Sequence, residues 1–251
     1  MPSTVPIFDF SDRRFVVTGA SSGIGREVAR QLALSHGHVL AMARRAELLA
    51  SLAQEFPQRI VPCVADVTDT AAFKPALLQF AGGAPLAGSV HAAGINRFAP
   101  LRAFQRSEAE RIMATSLWAG VDLVRLLCGP ELGTAGASHI LLASVSGLKG
   151  QAGLTAYGAT KAAVIHAVRS LARELAGKKI RINAVSPGWI PTEMTEEMQR
   201  FYPGGAEKIV QEHPLGLGTP RDVALLALYL LSDAAQWITG SNFVIDGGYS
   251  A

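Results

Sequence analysis

Short apolar, β-branched stretches alternate along the chain with longer stretches in which apolar residues recur at helical spacing. Parallel strands joined by crossover helices produce this alternation, and strands covered on both faces are nearly continuous apolar runs. The pattern therefore predicts a single doubly wound α/β domain of Rossmann type over residues 1–251. Seven strands are expected: RFVVTG (14–19), HVLAMA (38–43), RIVPCVAD (59–66), SVHAAG (89–94), HILLAS (139–144), RINAVSP (181–187) and NFVIDGG (242–248).

The clearest helical periodicity lies between these strands. No repeat, low-complexity tract or linker interrupts the order, so the sequence does not divide into smaller units. Amphipathic helices are expected at 25–37, 46–56, 107–128, 157–177 and 221–233.

The composition favours a reduced, cytoplasmic protein. Of the 251 residues, 49% are hydrophobic, yet every apolar segment is shorter than the roughly 18 residues that span a bilayer. The first residues lack a basic start followed by an apolar run, so no signal peptide is expected. Cys63 and Cys128 are far apart and form no metal-binding pair. We expect two reduced thiols in a cytosol and no contact with a membrane.

The net charge of +3 comes from scattered basic residues. No basic stripe is interleaved with aromatic residues, so the sequence does not indicate a nucleic-acid partner. A mildly basic surface is compatible with anionic small molecules.

A glycine-rich loop, TGASSGIG (18–25), joins the first strand to the first helix. Glycines at such a turn let the backbone approach a pyrophosphate at the helix N-terminus. A tight strand–helix turn would also require glycine, so the loop alone does not prove a dinucleotide site. Its position after the first strand favours one. The expected contacts are Gly19, Ser21, Ser22, Gly23, Ile24 and Gly25.

The second strand ends in Ala43, Arg44 and Arg45, and no carboxylate stands at its tip. An acidic residue there would bind the ribose 2′-hydroxyl of NAD, whereas a guanidinium suits the 2′-phosphate of NADP. The pair therefore predicts NADP (NADPH) as cofactor. A solvated arginine pair at a helix start is the alternative.

Tyr157 and Lys161 lie four residues apart in TAYGATK, so they share one face of a predicted helix. A free phenol has a pKa of about 10, and an ammonium about 5 Å away would lower it by roughly two units. This predicts a general acid–base pair. A packed tyrosine beside a solvated lysine is the alternative.

Several motifs in a fixed order make the chain resemble the short-chain dehydrogenase/reductase family from end to end. They are TGASSGIG, Asp66–Val67, HAAG (91–94), Ser144, Tyr157 with Lys161, and PGWIPT (187–192). The resemblance implies a seven-stranded parallel sheet in the order 3-2-1-4-5-6-7. It also implies a nicotinamide cofactor that delivers hydride to a carbonyl, with the reverse reaction oxidising an alcohol.

The resemblance also assigns roles to residues. Tyr157 would exchange the proton, Ser144 would steady the carbonyl oxygen, and Lys161 would tune the tyrosine and hold the nicotinamide ribose. Further cofactor contacts are Asp66 and Val67 at the adenine, Ala93 and Gly94 under the ribose, and Pro187, Gly188, Ile190 and Thr192 around the nicotinamide.

Two positions depart from the family pattern. His91 replaces an asparagine of the usual NNAG motif and is expected to be structural. Ser116 falls where relatives have an asparagine that holds a water beside the catalytic lysine. We expect Ser116 to take that catalytic relay role through an additional water, or Thr115 if the alignment shifts by one.

Residues 193–218 are expected to form a lid over the substrate, with Met194, Met198, Phe201 and Tyr202 as its apolar surface and a break at 203–205. The closest pattern is that of 3-oxoacyl thioester reductases. A carrier-protein substrate is in doubt, because GPELGTAGAS (129–138) contains no lysine or arginine, although Lys178 and Lys179 follow the catalytic helix.

Small ketones, sugars, steroids and coenzyme A thioesters all remain open as substrates. A secondary-alcohol, sugar or steroid dehydrogenase is the alternative within the family, and a non-catalytic cofactor-binding regulator is the alternative outside it. The helices at 107–128 and 157–177 are apolar over more than one stripe. A homotetramer, or at least a dimer, is therefore expected.

Overall fold

The computed structural model describes residues 8–195 and 205–251. Its centre is a seven-stranded sheet in the order β3-β2-β1-β4-β5-β6-β7, and every neighbouring pair is parallel. The predicted fold class and strand order are confirmed. The strands are β1 (Arg14–Thr18), β2 (His38–Ala43), β3 (Ile60–Val64), β4 (Gly88–His91), β5 (Ser138–Leu142), β6 (Arg181–Pro187) and β7 (Asn242–Ile245).

Helices cover both faces of the sheet. One face packs against α1 and α8 and the other against α3, α5 and α6, so the central strands β4, β5 and β6 are buried over their whole length. Among the described residues, the helices are α1 (Gly23–Leu34), α2 (Ala46–Glu55), α3 (Thr70–Ala81), α4 (Arg106–Met113), α5 (Ala119–Leu127), α6 (Thr155–Leu175), α7 (Gly205–Gln211) and α8 (Pro220–Leu231).

Helices α3 and α7 were not among the sequence-based expectations. Helix α3 contains Pro75, a helix breaker that obscured the pattern, but it has clear ends in the structure. The Asp69 side chain accepts from the amide of Ala72 at its start, and Gly82 closes it in the left-handed conformation.

The helix predicted at 107–128 is observed as a continuous helical run from Arg106 to Leu127, but it is not α-helical throughout. A π-helical turn at Ala114–Trp118 separates α4 from α5, and the amide of Ala119 donates to the carbonyl of Ala114, five residues back. The wider turn changes which side chains face inward. Ser116 and Leu117 are buried, whereas Trp118 is 56% exposed.

Candidate active site

A long groove runs across the carboxyl ends of the strands. Every residue predicted to contact a dinucleotide lines it, including the glycine-rich loop and the predicted residues that follow β6. Ligands bind at this edge of open α/β sheets, where the strand order reverses beside the first strand. Ser144, Tyr157 and Lys161 also line the groove, so the expected cofactor and catalytic residues meet in one place.

The glycine-rich loop lies tightly against its neighbours. A Cβ on Gly19 would be 2.7 Å from the backbone of Ala92, and one on Gly25 would be 2.4 Å from the carbonyl oxygen of Gly19. Close packing therefore explains these two glycines without any ligand. It also leaves the loop backbone bare at the start of α1, where peptide amides can face an anion.

Arg45 is tied to the glycine-rich loop. Its guanidinium donates to the hydroxyls of Ser21 at 3.0 Å and Ser22 at 2.6 Å, and to the carboxylate of Glu193 at 2.6 Å. That hydrogen bond lowers the pKa of Glu193. Glu193 lines the groove, although it was expected only as the first residue of the lid.

Arg44 remains exposed at the rim of the same groove, and its charge helps to lower the pKa of Asp66, after the larger effects of hydrogen bonds from Thr68. The groove therefore combines a glycine cradle, which a side chain would fill, with two cations at one end. These features fit a dinucleotide cofactor.

Close backbone packing brings the expected catalytic residues together. Ser144 follows β5, and a short turn at Val145–Gly147 lies against α6 so tightly that a Cβ on Gly147 would be 2.7 Å from the backbone of Lys161. Tyr157 lies in the first turn of α6, where its phenol and the Ser144 hydroxyl are hydrogen-bonded. A carbonyl oxygen placed between these hydroxyls would meet two donors.

Lys161 is 5% exposed, and burial lowers its pKa to about 8. Its Nζ donates to the carbonyl oxygen of Leu142 at 2.7 Å and lies 5.5 Å from the centroid of the Tyr157 ring. The pair thus shares one helix face, as predicted.

The expected fall in the pKa of Tyr157 does not occur in this structure. Burial raises that pKa, and the hydrogen bond with Ser144 only partly opposes the rise. Taking the phenolate out of water outweighs attraction to an ammonium that is itself buried and bonded to Leu142.

Ser116 does not line the groove but lies directly behind it. Its Oγ is fully buried and has no hydrogen-bonding partner among residues 8–195 and 205–251. A Cβ added to Gly94 would be 3.2 Å from Ser116 Oγ and 3.8 Å from Lys161 Nζ, so both groups border the same small space. Ser116 Oγ therefore lies near Lys161 Nζ, whereas Thr115 lines the groove together with Lys161.

A smaller cavity opens on the other side of Ser144 and Tyr157. Gln151 and Tyr249, which line it, were not predicted, and His213 lies within the predicted lid at 193–218. Ser146 Oγ donates to Gln151 Oε1 at 2.6 Å, and Gln151 Nε2 donates to Tyr249 Oη at 3.1 Å. The position of Gln151 between Ser144 and Tyr157 was the available signal, whereas nothing in the sequence connected the C-terminal Tyr249 with this site.

Part of the predicted lid borders this cavity. Met194, and Ile209 of α7, line it, and His213 stacks on Tyr249 with ring centroids 4.8 Å apart. Met198, Phe201, Tyr202 and the residues at 203–204 lie outside the described residues, so their predicted contact with a substrate stays a prediction.

Comparison with known proteins finds relatives over nearly the whole chain. The family model described as enoyl-(acyl carrier protein) reductase matches residues 19–250. The chain is 36% identical over 239 residues to galactitol 2-dehydrogenase (L-tagatose-forming) of Cereibacter sphaeroides, covering 93% of each chain. It is 33% identical to a 3-oxoacyl-[acyl-carrier-protein] reductase of Thermotoga maritima, covering 93% of this chain and 96% of the relative.

Solved structures show the same likeness. A short-chain dehydrogenase/reductase of Brucella melitensis, titled glucose/ribitol dehydrogenase, superposes with a TM-score of 0.90 at 30% identity, covering 97% and 99% of the two chains. A chain of Beutenbergia cavernae, provisionally described as an NAD(P)-dependent gluconate 5-dehydrogenase with NADP bound at low occupancy, gives 0.89 at 31% identity, covering 96% and 98%.

The chain belongs to the short-chain dehydrogenase/reductase family. It is an oxidoreductase that acts on alcohol and carbonyl groups with a nicotinamide cofactor.

Proposed function

We propose that the protein is an NADP(H)-dependent oxidoreductase that interconverts a small ketone and the corresponding secondary alcohol. The observation that carries this proposal is the position of Ser144 and Tyr157. Both residues line the long groove and the smaller cavity, so their hydroxyls stand where a cofactor and a substrate would meet.

The residues of this chain then have separate tasks. A bound nicotinamide supplies the hydride in the reducing direction. Tyr157 donates its phenolic proton to the carbonyl oxygen, and Ser144 hydrogen-bonds that oxygen as negative charge develops on it. Lys161, held beneath the groove, binds the ribose hydroxyls and favours return of a proton to the tyrosine.

Replacing Tyr157 with phenylalanine tests this assignment. Tyr157→Phe keeps the ring but removes the proton donor, so kcat should fall by about 10²- to 10⁴-fold, while NADPH binding followed by fluorescence should stay close to that of the parent. Tyr229→Phe, in α8 away from both cavities, is the matched control. A Tyr157→Phe rate above about a tenth of the parent rate would show that the phenol is not the acid.

The preference for NADP(H) rests on Arg44 and Arg45. Arg45 is already bonded to Ser21, Ser22 and Glu193, whereas Arg44 is exposed at the rim and available to an anion. Arg44→Ala should therefore weaken NADPH binding by about tenfold or more, since bonds to a charged group contribute about 1.5–3 kcal/mol. NADH binding should change little. Equal affinities of the parent protein for NADH and NADPH would refute the preference.

The lining of the smaller cavity is compatible with two substrate classes, small polyhydroxylated compounds and 3-oxoacyl thioesters. Ser146, Gln151 and Tyr249 provide a hydrogen-bonding wall, which favours a small polyhydroxylated ketone or alcohol. Galactitol 2-dehydrogenase is among the relatives, as is an L-xylulose reductase of Caenorhabditis elegans at 31% identity. Trp189, Met194 and Ile209 form an apolar side that could instead contact a 3-oxoacyl thioester.

Steady-state kinetics with both substrate classes would distinguish them. We expect kcat/KM to be higher for small ketoses and polyols than for acetoacetyl coenzyme A. Substrates of about four to six carbons suit a cavity of this size. Gln151→Leu should reduce turnover of the polyol more than that of the thioester, because it removes a donor from the polar wall. The opposite order would favour the 3-oxoacyl thioester reductase.

We place the protein in the cytosol. Cys63 and Cys128 are free thiols, in keeping with a reducing compartment. No helix among the described residues is long and apolar enough to cross a membrane.

A further inference from the structure

His91, the last residue of β4, carries a buried imidazole between β1 and the π-helical turn. Its Nε2 lies 3.0 Å from the carbonyl oxygen of Thr115, and its Nδ1 lies 2.9 Å from Thr18 Oγ1. A carbonyl can only accept, so Nε2 carries the ring proton. Burial lowers the pKa of His91 to about 4, so the ring holds a single proton near neutral pH.

The tautomer fixes the direction of the neighbouring bonds. Since Nδ1 has no proton, it accepts from the Thr18 hydroxyl, and the oxygen of that hydroxyl accepts from the amide of Ala93 at 3.2 Å. An unbroken chain of hydrogen bonds therefore links Ala93, beside Gly94 on the groove floor, through Thr18 and His91 to Thr115.

The π-helical turn needs such a donor. In an α-helix the amide of Ala119 would donate to the carbonyl of Thr115, but here it donates to Ala114. The Thr115 carbonyl has thus lost its usual helical donor, and His91 Nε2 supplies one. The next residue, Ser116, directs its hydroxyl toward the space beside Gly94 and Lys161.

Gly120, one turn further along, is fitted to the imidazole. A Cβ at this position would lie 2.8 Å from His91 Cδ2 and 3.2 Å from Leu141 Cδ2. The ring fills the space that a side chain at 120 would need. The imidazole, the π-helical turn and this glycine therefore form one matched arrangement.

We infer that His91 is a positioning residue, which holds the π-helical turn so that the Ser116 hydroxyl stays beside Lys161. His91 lines neither the long groove nor the smaller cavity. Its effect on the reaction passes through Thr115 and Ser116 and rests on the proposed function of Lys161. A histidine that merely fills the core would affect stability without affecting the turn or the kinetics of proton transfer.

The first test compares two buried histidines of the same sheet. His91→Leu removes both bonds of the imidazole. His139→Leu is the matched control, because His139 is also fully buried and bonded to a hydroxyl, that of Ser89, but belongs to the pair Ser89–His139 nearer the amino ends of β4 and β5.

Hydrogen–deuterium exchange on the cofactor-free proteins reports on the turn directly. In the peptide 113–120 we expect exchange to be about tenfold faster in His91→Leu, because local opening is easier when the turn loses its external bond. Exchange in this peptide should be unchanged in His139→Leu. Equal exchange rates in the parent and His91→Leu would overturn the inference.

Kinetics then show whether the turn matters for the reaction. We expect kcat of His91→Leu to fall by about tenfold, since small misplacements of a catalytic group are costly, with the Kd for NADPH nearly unchanged. The lower limb of the kcat–pH profile should also shift relative to the parent, which a purely structural role would not produce. A loosened turn with parental kcat and pH profile would refute the positioning role.

Gly120→Ala provides a route that does not depend on folding of His91→Leu. The added methyl group should displace the ring and lower kcat by a similar factor of about ten. In the double variant His91→Asn with Gly120→Ala, a smaller side chain that keeps an amide donor should recover most of this loss. If the double variant folds but its kcat stays as low as that of Gly120→Ala, the inference that the imidazole, the turn and Gly120 are matched to one another is wrong.

The two proposals fail in distinguishable ways. A parent protein that reduces no carbonyl with NADPH, while His91→Leu still loosens the turn, would refute the proposed function and leave the holding role of His91 in place. An active parent whose exchange does not respond to His91→Leu would refute the role of His91 alone.

Discussion

Lys161 illustrates at the scale of one residue how function and stability oppose each other. A folded-state pKa of about 8, against the ordinary 10.5 of an unfolded chain, means that burial disfavours the charged form. A shift of this size corresponds to a cost on the order of 3 kcal/mol at neutral pH. The hydrogen bond to Leu142 offsets part of that cost, and removing the ammonium should release the remainder.

Lys161→Met should therefore be inactive yet more stable than the parent at pH 7, with Tm higher by a few degrees. The folded parent binds fewer protons than the unfolded chain between pH 8 and 10.5, so its stability rises across that window. The difference in stability between the parent and Lys161→Met should therefore become smaller between pH 8 and 10.5. Thermal unfolding at pH 7 and pH 10 measures both effects.

The exposed Lys178 supplies the control for this measurement. Lys178→Met should be no more stable than the parent at pH 7, and its stability relative to the parent should not change at higher pH. A Lys161→Met protein less stable than the parent at pH 7 would show that the contacts of the ammonium outweigh the cost of its burial.

Single residues also mark where sequence-based reasoning reached its limit. Tyr157 and Lys161 could be paired from their spacing alone, because i and i+4 share a helix face. The direction of the Tyr157 pKa could not be predicted, since it depends on how deeply the phenol and the ammonium are buried and on the carbonyl of Leu142. Both facts arise only when β5 and α6 pack together.

Among the structural elements, the π-helical turn has the most direct consequence for the site. It points the Ser116 hydroxyl inward, where no described residue hydrogen-bonds it. Leaving a buried hydroxyl without a hydrogen bond is costly. A bridging water can serve as its partner, because a water-mediated hydrogen bond is nearly as favourable in enthalpy as a direct one. We expect an ordered water between Ser116 and Lys161, as part of a path for protons.

A crystal structure at about 2 Å, where ordered waters that bridge polar groups are visible, would show this water directly. Ser116→Ala should lower kcat modestly, by less than about tenfold, because a second water can replace the hydroxyl. Stability should hardly change, since the hydroxyl has no protein partner to lose. Parental kcat together with no ordered water would refute the relay.

The strands were predictable because buried parallel strands are short apolar runs, and the observed β2 and β6 have the predicted bounds. The π-helical turn inside the helix at 107–128 was not predictable from periodicity. Its Thr115 carbonyl is hydrogen-bonded by the imidazole of His91, which lies on a strand 24 residues earlier in the chain. Likewise, Gln151 and Tyr249 meet only because the chain end returns to the turn after β5.

For the whole molecule, the outer surface of α5 and α6 indicates self-association. Trp118 is exposed beside this surface, and the outward positions of α6 include the small residues Ala159 and Ala162. Small residues let another helix approach closely, and a large exposed aromatic side chain is typical of an interface. A second copy related by a two-fold axis would present the same face and cover both.

We therefore propose that the protein is a homotetramer, or at least a dimer, in which this surface pairs with its own copy. Light scattering at micromolar concentration should give a mass that is a multiple of the 26.4 kDa chain. Trp118→Lys should reduce that mass, because a charge would be buried at the centre of the contact. Val64→Lys, on the edge strand β3, is the control and should leave it unchanged. A monomeric parent would exclude the assembly.

An unchanged mass of the Trp118→Lys protein would show that the interface lies on another surface. Trp237, which is 97% exposed and lies shortly before the edge strand β7, would then be the next residue to replace.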